Sequence, residues 1–506
     1  MLALTVGTFA RIRQWAGGRS LWLDEVLIAD NLVQRGFIDL VREPLLHSQA
    51  APVLWLWLER LCVELFGTSE RSLRIIPLLA GLAALGLTFL LARQVLPRVL
   101  VPIPVVVVAL HPQLIYYSNE VKQYSMDVVV VLVLILMSFR IPARPVDGPA
   151  LRRLAAAGVV AIWLSHASIF ALTGVSVVLV LRAVLQRDLR RAVRVALVLS
   201  PWLVSLAISY VAVLRPLTQN QPLSDFWAYT FPTSALDLPA WFVRRWYDLA
   251  GAPLRLTVRV VGLALLVYGL VRLSRGAGRR TALLWAAVPA AMLAAAVSAY
   301  PFANRLVLWL VPLAAITMAA ALPHQLRQGG TRWLVVGIVA LTVTFAPAAS
   351  AGLRLTTTTQ EVEELRPLLF RFAQERLPGD LVYVEVATRD AFEYYAEQTG
   401  VSRDGVILFD QRKGVGACDD LPALNAGRFA TERVWVISSH RLTATKRLGT
   451  IEDILARIRT VTREIRHLSD TQADAWLFDP STGAQTPTQV GERNPERCLT
   501  VIRSAR

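Results

Sequence analysis

Residues Ile75–Leu91 read IIPLLAGLAALGLTFLL, seventeen positions without a single Asp, Glu, Lys or Arg. A helix of about 18 such residues is enough to cross the roughly 30 Å hydrocarbon core of a bilayer. Six further windows are equally free of charge: Val99–Asn119, Leu154–Leu181, Val195–Leu214, Thr281–Asn304, Leu306–Leu326 and Trp333–Leu353. In lipid every backbone polar group must be bonded within the protein, so several such runs predict a bundle of spanning helices. The bulk composition agrees. Of 506 residues, 55% are hydrophobic and only 18% charged, and the mean hydropathy is +0.47.

The net charge of +16 raises the question of a nucleic-acid partner. Its placement argues against one. Arginines sit at the ends of apolar runs, and no basic stripe is interleaved with stacking aromatics. Read as a topology signal, the charges divide the chain cleanly. The connectors Arg93–Arg98, Arg140–Arg153, Arg182–Arg194, Arg272–Arg280 and Pro323–Arg332 hold seventeen arginines against two acids. The segments between them, Arg11–Arg71, Tyr117–Tyr124, Leu214–Ala250 and Tyr300–Arg305, hold twelve basic and twelve acidic residues. The positive-inside rule therefore puts the first set in the cytoplasm and the second outside. Leu154–Leu181 lies between two basic connectors, so it is expected to cross twice, with a break at Ser165-His166. Met1–Ala10 is apolar, lacks a cleavage site and is too short to span, which suggests a first helix clipped by the start site. The expected architecture is a polytopic α-helical membrane protein with about eleven transmembrane helices in residues 1–353. Residues 354–506 then form an extracytoplasmic domain.

Within the first outer segment, Ala29, Val33, Phe37, Leu40 and Val41 recur at helical spacing, as in an amphipathic helix lying on the membrane surface. Trp55 and Trp57 add a second apolar patch. After Thr359 the composition changes. Val362–Leu377 and a short stretch around Phe392–Gln398 read as helices, with a third near Ile451–Arg466. Leu381–Val386, Val406–Phe409, Val434–Ile437 and Ala473–Phe478 read as strands, so the tail is expected to be a small α/β domain. The three cysteines lack CxxC spacing, which excludes a zinc ribbon or a thioredoxin-like motif. Cys418 and Cys498 are candidates for a disulfide in an oxidising exterior, and Cys62 is expected to be buried.

The residues able to do chemistry fall on the outer segments. Asp24-Glu25 follows Leu21-Trp22-Leu23; an interfacial carboxylate is commonly just solvated, but beside a water-poor cleft it serves as a general base. Tyr116–Tyr124 packs Glu120, Lys122 and Tyr124 into a tight polar turn where a plain hairpin needs only small residues. Arg305, and Arg244-Arg245 in a later loop, are cations on the side where the charge rule disfavours them, with interfacial snorkelling as the alternative. His47, Gln49 and His166 complete the set. A carboxylate facing several cations suits a reaction in which a hydroxyl loses its proton and an anion departs. Arg and Lys recognise phosphate, and no phosphate-cradling glycine loop is present for a nucleotide. A lipid-carried sugar phosphate meets both conditions.

The segment Ser20-Leu21-Trp22-Leu23-Asp24-Glu25 resembles the first-loop signature of the GT-C glycosyltransferases. Within them it is most similar to the branch containing the protein O-mannosyltransferases and the lipid A aminoarabinose transferase. Phe66–Arg74, Tyr117–Tyr124 and Tyr300–Arg305 resemble that branch too. The resemblance implies a polyprenyl-phosphate sugar donor, an inverting single displacement, and a lipid, glycan or protein acceptor outside the plasma or inner membrane. It implies Asp24 as the base, with Glu25 supporting it or contacting the acceptor. Lys122 and Arg305, with Arg244 or Arg245, would hold the lipid phosphate. His47, Gln49, Glu120, Tyr124 and His166 would line the substrate site. No cofactor is required by this reading; a divalent metal is left open, because the acid–lysine pair of the aminoarabinose transferase is missing here. Two rival readings are a transporter or flippase of lipid-linked saccharides and a non-catalytic scaffold. The sequence shows no inverted repeat of broken midplane helices to favour the former.

Overall fold

The computed structural model describes residues 1–142, 148–215, 225–323, 330–385, 387–408, 431–439, 455, 458–459 and 462–480. The chain divides into two compact units: Met1–Gly18 with Asn31–Gln360, and Arg19–Asp30 with Glu361–Arg506.

The first unit is helical. It contains α1 (Leu2–Gly17), the latter part of α2 (Leu23–Gln34), α3 (Asp39–Arg42), α4 (Val53–Phe66), α5 (Ile75–Val95), α6 (Pro102–Ala109), α7 (Pro112–Tyr117) and α8 (Tyr124–Phe139). Then follow α9 (Pro149–Leu164), α10 (Ser168–Leu185), α11 (Leu189–Leu199), α12 (Pro201–Ser209), α13 (Leu238–Gly251), α14 (Arg259–Leu284), α15 (Ala287–Ala296), α16 (Leu310–Ala319) and α17 (Gly330–Arg354). The quoted stretch is one helix. It stops where Leu96 turns extended before Pro97, a residue that disfavours helix at the position ahead of it.

Among the described residues, five helical segments are long and apolar enough to cross a membrane: Ser72–Val95, Ser168–Leu185, Leu189–Val213, Arg259–Leu284 and Arg332–Arg354. Four more apolar helices are shorter, at 10–17 residues. This is a multi-pass membrane protein, in which several of the charge-free windows are divided among shorter helices. Val99–Asn119 is interrupted at His111, held extended by Pro112. Thr281–Asn304 leaves the helix after Ala296. Leu154–Leu181 breaks as expected: α9 ends at Leu164, Ser165 is extended, and α10 starts at Ser168.

The amphipathic stretch is not a single helix. α2 ends at Gln34, and the Gly36 amide donates to the Asp39 carboxylate, starting the short α3. Trp55 is fully buried in α4, while the Trp57 indole N–H donates to the Phe37 carbonyl at 2.9 Å. Arg11 belongs to α1 rather than to an outer loop. Its buried guanidinium donates to the Val108 and Ala109 carbonyls at the end of α6, at 3.1 and 3.2 Å. The stretch Arg272–Arg280, expected as a connector, lies inside α14, and its arginines do the same: Arg272 serves Ala321 and Leu322, Arg279 serves Ile141, and Arg280 serves Gln94. These cations satisfy carbonyls that helix ends leave open and sit at the negative pole of each helix dipole.

Helix α16 buries all ten of its residues at the centre of this unit. Around it the helices approach closely through small residues. A Cβ on Gly174 of α10 would stand 1.8 Å from the Ala286 carbonyl oxygen, whereas one on Gly86 of α5 meets nothing within 4 Å. Gly174→Ala is therefore expected to destabilise the unit by about 3 kcal/mol through overpacking. Gly86→Ala should leave the thermal midpoint in detergent where it is; equal midpoints for both variants would refute the close packing.

The second unit carries a five-stranded sheet in the order β2-β1-β3-β5-β4. Its strands are β1 (Leu381–Val384), β2 (Val406–Leu408), β3 (Val434–Ser439), β4 (Arg463–Asp470) and β5 (Ala473–Asp479). β1 pairs in parallel with β2 and β3, and β5 runs antiparallel to β3 and β4. α18 (Leu365–Glu375) and α19 (Arg389–Ala396) complete the α/β unit. The helix expected near Ile451–Arg466 is overturned at its end, because residues from Arg463 onward are strand β4. Val386, Phe409, Cys418 and Cys498 lie outside the described residues. Cys62 is buried and free.

Candidate functional site

In the first unit, the turn between α7 and α8 is the centre of a polar assembly. Ser118, Asn119, Glu120, Lys122 and Gln123 are all buried, in a turn that a plain hairpin would leave wet. The Lys122 ammonium donates to the Gln49 side-chain oxygen at 2.7 Å, and the Gln49 amide donates to the His47 carbonyl at 3.2 Å. This joins the first outer segment to the turn. His47 itself is exposed, with its backbone in the left-handed region.

Two residues on, the Tyr124 ring lies edge-to-face with Tyr117 at 5.2 Å. The Arg305 guanidinium stands 5.6 Å from the Tyr124 ring centre and 5.9 Å from that of Trp227, within cation–π range of both. Gln49 and these two rings are among the groups that orient Lys122 and Arg305.

Below Tyr124, on the same first turn of α8, buried Asp127 accepts the Ser165 hydroxyl at 2.5 Å. Ser165 and His166 form the break between α9 and α10, and the Ser168 hydroxyl closes that turn on the Ser165 carbonyl at 2.6 Å. Tyr300 packs against Phe170 at 4.9 Å, next to the same break. Four sequence-distant segments therefore meet at one end of the helices: 47–49, 117–127, 165–170 and 300–305.

Asp127 and Trp227 were not singled out from the sequence. The signal for Asp127 was available, since a carboxylate at the start of an otherwise apolar helix must have a partner. Arg244 and Arg245 on α13 stand differently. Arg244 pairs with Asp237 at 2.5 Å and holds that carboxyl below its usual range, and Arg245 pairs with Asp248. Trp246 of the same helix packs toward Phe302 at 6.4 Å.

The Asp24-Glu25 pair belongs to the second unit and occupies the first turn of α2, where acids favour the helix dipole. Glu25 is fully buried. Its Oε2 accepts from Arg19 at 2.8 Å and reaches back to the Trp22 amide at 3.4 Å, as the acid of a capping box does. That position ties Glu25 to the backbone and to the cation just before Asp24. The preceding residues are pinned by side chains of the tail. The Ser20 hydroxyl donates to Glu364 at 2.8 Å, the Leu21 amide to the Tyr395 hydroxyl at 2.7 Å, and the Leu23 amide to Glu363 at 3.0 Å. Burial holds the Glu364 carboxyl above its usual range despite the bonds from Ser20. Asp24 is half-buried on a turn whose backbone is thus fixed from several directions.

Among the described residues, no three histidine, cysteine, aspartate or glutamate side chains gather in a way that could hold a metal ion.

This helical unit with a small sheet at the C-terminal end has the fold of the GT-C glycosyltransferases. ArnT from Cupriavidus metallidurans, solved bound to undecaprenyl phosphate, superposes with a TM-score of 0.51 at 13% identity, over 94% of this chain and 96% of that one. The oligosaccharyltransferase of Archaeoglobus fulgidus in complex with Zn and sulfate gives 0.51 at 13% identity, over 94% of this chain and 72% of its own. AglB from that archaeon, with an inhibitory peptide and a dolichol-phosphate, gives 0.51 at 11% identity, over 97% and 74%. No family model and no curated protein matches the sequence.

Proposed function

We propose that this protein is a glycosyltransferase that moves a sugar from a polyprenyl-phosphate carrier to an acceptor hydroxyl on the extracytoplasmic side, with inversion. The observation that carries the reading is the Arg305 guanidinium within cation–π range of Trp227 and of Tyr124, a ring two residues along the chain from Lys122, which donates to Gln49. Cations from two segments that meet at one turn suit a lipid phosphate. Similar folds solved with undecaprenyl phosphate and with a dolichol-phosphate support the same ligand class.

In the proposed reaction the acceptor oxygen attacks the anomeric carbon as Asp24 takes its proton. The bond from that carbon to the phosphate oxygen breaks in the same displacement, and its electron pair leaves with the polyprenyl phosphate. Lys122 and Arg305 stabilise the charge that grows on the departing phosphate. Glu25 and Arg19 hold the turn that carries Asp24, and Gln49, Glu120, Tyr124 and His166 border the donor. His47, Arg244 and Arg245 have secondary parts in substrate binding.

The test uses purified protein in liposomes, offered radiolabelled polyprenyl-phosphate sugars and an extract of envelope glycoconjugates from cells lacking it. Label is expected to move to one glycoconjugate, with release of unlabelled polyprenyl phosphate. Saccharide uptake into the vesicles with no transfer would overturn the reading and favour a transporter.

A further inference from the structure

Helix α4 carries an acid where its core stripe calls for hydrocarbon. Trp55, Leu56, Glu59, Cys62 and Val63 recur at helical spacing on the buried side of the helix, with Glu59 in the middle. Glu59 is 0% exposed, and among the described residues its two carboxyl oxygens are sealed from solvent without a hydrogen-bond partner. α4 packs on α3, α5, α9 and the single turn Ser72–Arg74. The charged groups of those elements are Asp39, Arg42, Arg74, Arg93, Arg152 and Arg153, and none of them forms an ion pair with Glu59. On α4 itself, Arg60 and Glu64 pair with each other. Cys62, one turn on, is an ionisable neighbour; burial, and then the Glu59 carboxyl, push its thiol up to about 11.

A carboxylate shut off from water and paired with no cation is strongly disfavoured, so burial pushes the Glu59 carboxyl well above its ordinary range. The packed helix therefore holds a proton that the same residue gives up once water reaches it. Packing is then strongest below the unfolded carboxyl value of about 4.3, and it weakens as pH rises toward the raised value of the buried group. α4 in turn holds the first outer segment. The Arg60 guanidinium donates to the Leu32 and Val33 carbonyls near the end of α2, at 2.7 and 3.1 Å, and the Trp57 indole donates to the Phe37 carbonyl.

We propose that Glu59 is a proton-operated latch on α4, which keeps the first outer segment seated while the carboxyl is protonated and frees it on ionisation. The latch stands apart from the transfer reaction and does not depend on that reading.

The test is the rate at which a maleimide labels Cys62 in the whole protein in detergent, read by mass spectrometry of the Cys62 peptide. The window runs from about pH 5.5 to about pH 7.5, above the ordinary carboxyl value and below the ordinary thiol value. A buried thiol reacts through opening, and its thiolate fraction alone raises the rate about tenfold per pH unit. Release of the Glu59 proton on opening should add a further factor of about ten per unit in the parent. Glu59→Gln keeps the shape with no proton to lose, and should show only the first factor. Glu59→Leu should behave alike, and serves in its place if the amide variant does not fold. The apparent thermal midpoint gives a second reading, falling with pH in the parent and lying flatter in both variants. A parent rate that follows the thiolate fraction alone would overturn the proposal. So would the steeper slope persisting in the variants, or a midpoint with the same pH dependence in all three proteins.

Discussion

Asp24→Asn is expected to lower the rate of sugar transfer about a thousandfold, within the range that a positioned general base contributes. The substitution keeps the shape of the side chain and removes only its basicity. The turn around it should survive, since Arg19–Glu25, Glu363, Glu364 and Tyr395 hold the neighbouring backbone. The thermal midpoint in detergent should therefore move little, and apparent donor affinity should stay near that of the parent, because the lost interaction belongs to the transition state. Glu25→Gln gives the contrast. It weakens the buried ion pair to Arg19 and should cost about 2 kcal/mol of stability, with activity falling as a consequence of the loosened turn. Full transfer by Asp24→Asn would remove the aspartate from the mechanism.

Much of this architecture is legible in the chain, for physical reasons that differ from element to element. Ile75–Leu91 could hardly be anything but a buried or spanning helix, and the Ser165-His166 break follows from a charge count alone. The polar edge strand Arg463–Asp470 is different. It alternates poorly because most of its side chains face water, so the helical spacing of the residues before it misled the reading. Among the described residues five helical segments are long and apolar enough to span, and a break such as the one at His111 before Pro112 is a feature that hydropathy does not register.

For the site, the sequence named Lys122, Gln49, Tyr124 and Arg305 but not their pairing. Nothing local says that Gln49 meets Lys122 or that Trp227 completes the seat of Arg305, because such contacts depend on how distant helices pack. Nor does the chain announce that Ser20–Leu23 is pinned by Glu363, Glu364 and Tyr395, residues 340 or more positions away.

That packing makes Arg305 the second decisive position. Arg305→Ala should reduce kcat/KM by about two to three orders of magnitude, the usual loss when one preorganised donor to a developing charge is removed. Arg305→Lys should recover only part of it, since an ammonium keeps the charge but neither stacks on Tyr124 and Trp227 nor grips phosphate with two N–H groups. Tyr124→Leu, which leaves Arg305 its charge but removes one of its ring partners, should fall between the two lysine-like extremes of no effect and full loss, at about tenfold. A merely structural Arg305 would instead lower the thermal midpoint in proportion to activity and respond equally to alanine and lysine. Binding of labelled polyprenyl phosphate separates the cases, because loss of affinity in Arg305→Ala with the fold intact assigns this cation to the carrier. Undiminished carrier binding and transfer in that variant would move the phosphate elsewhere and leave Lys122 as the residue to pursue.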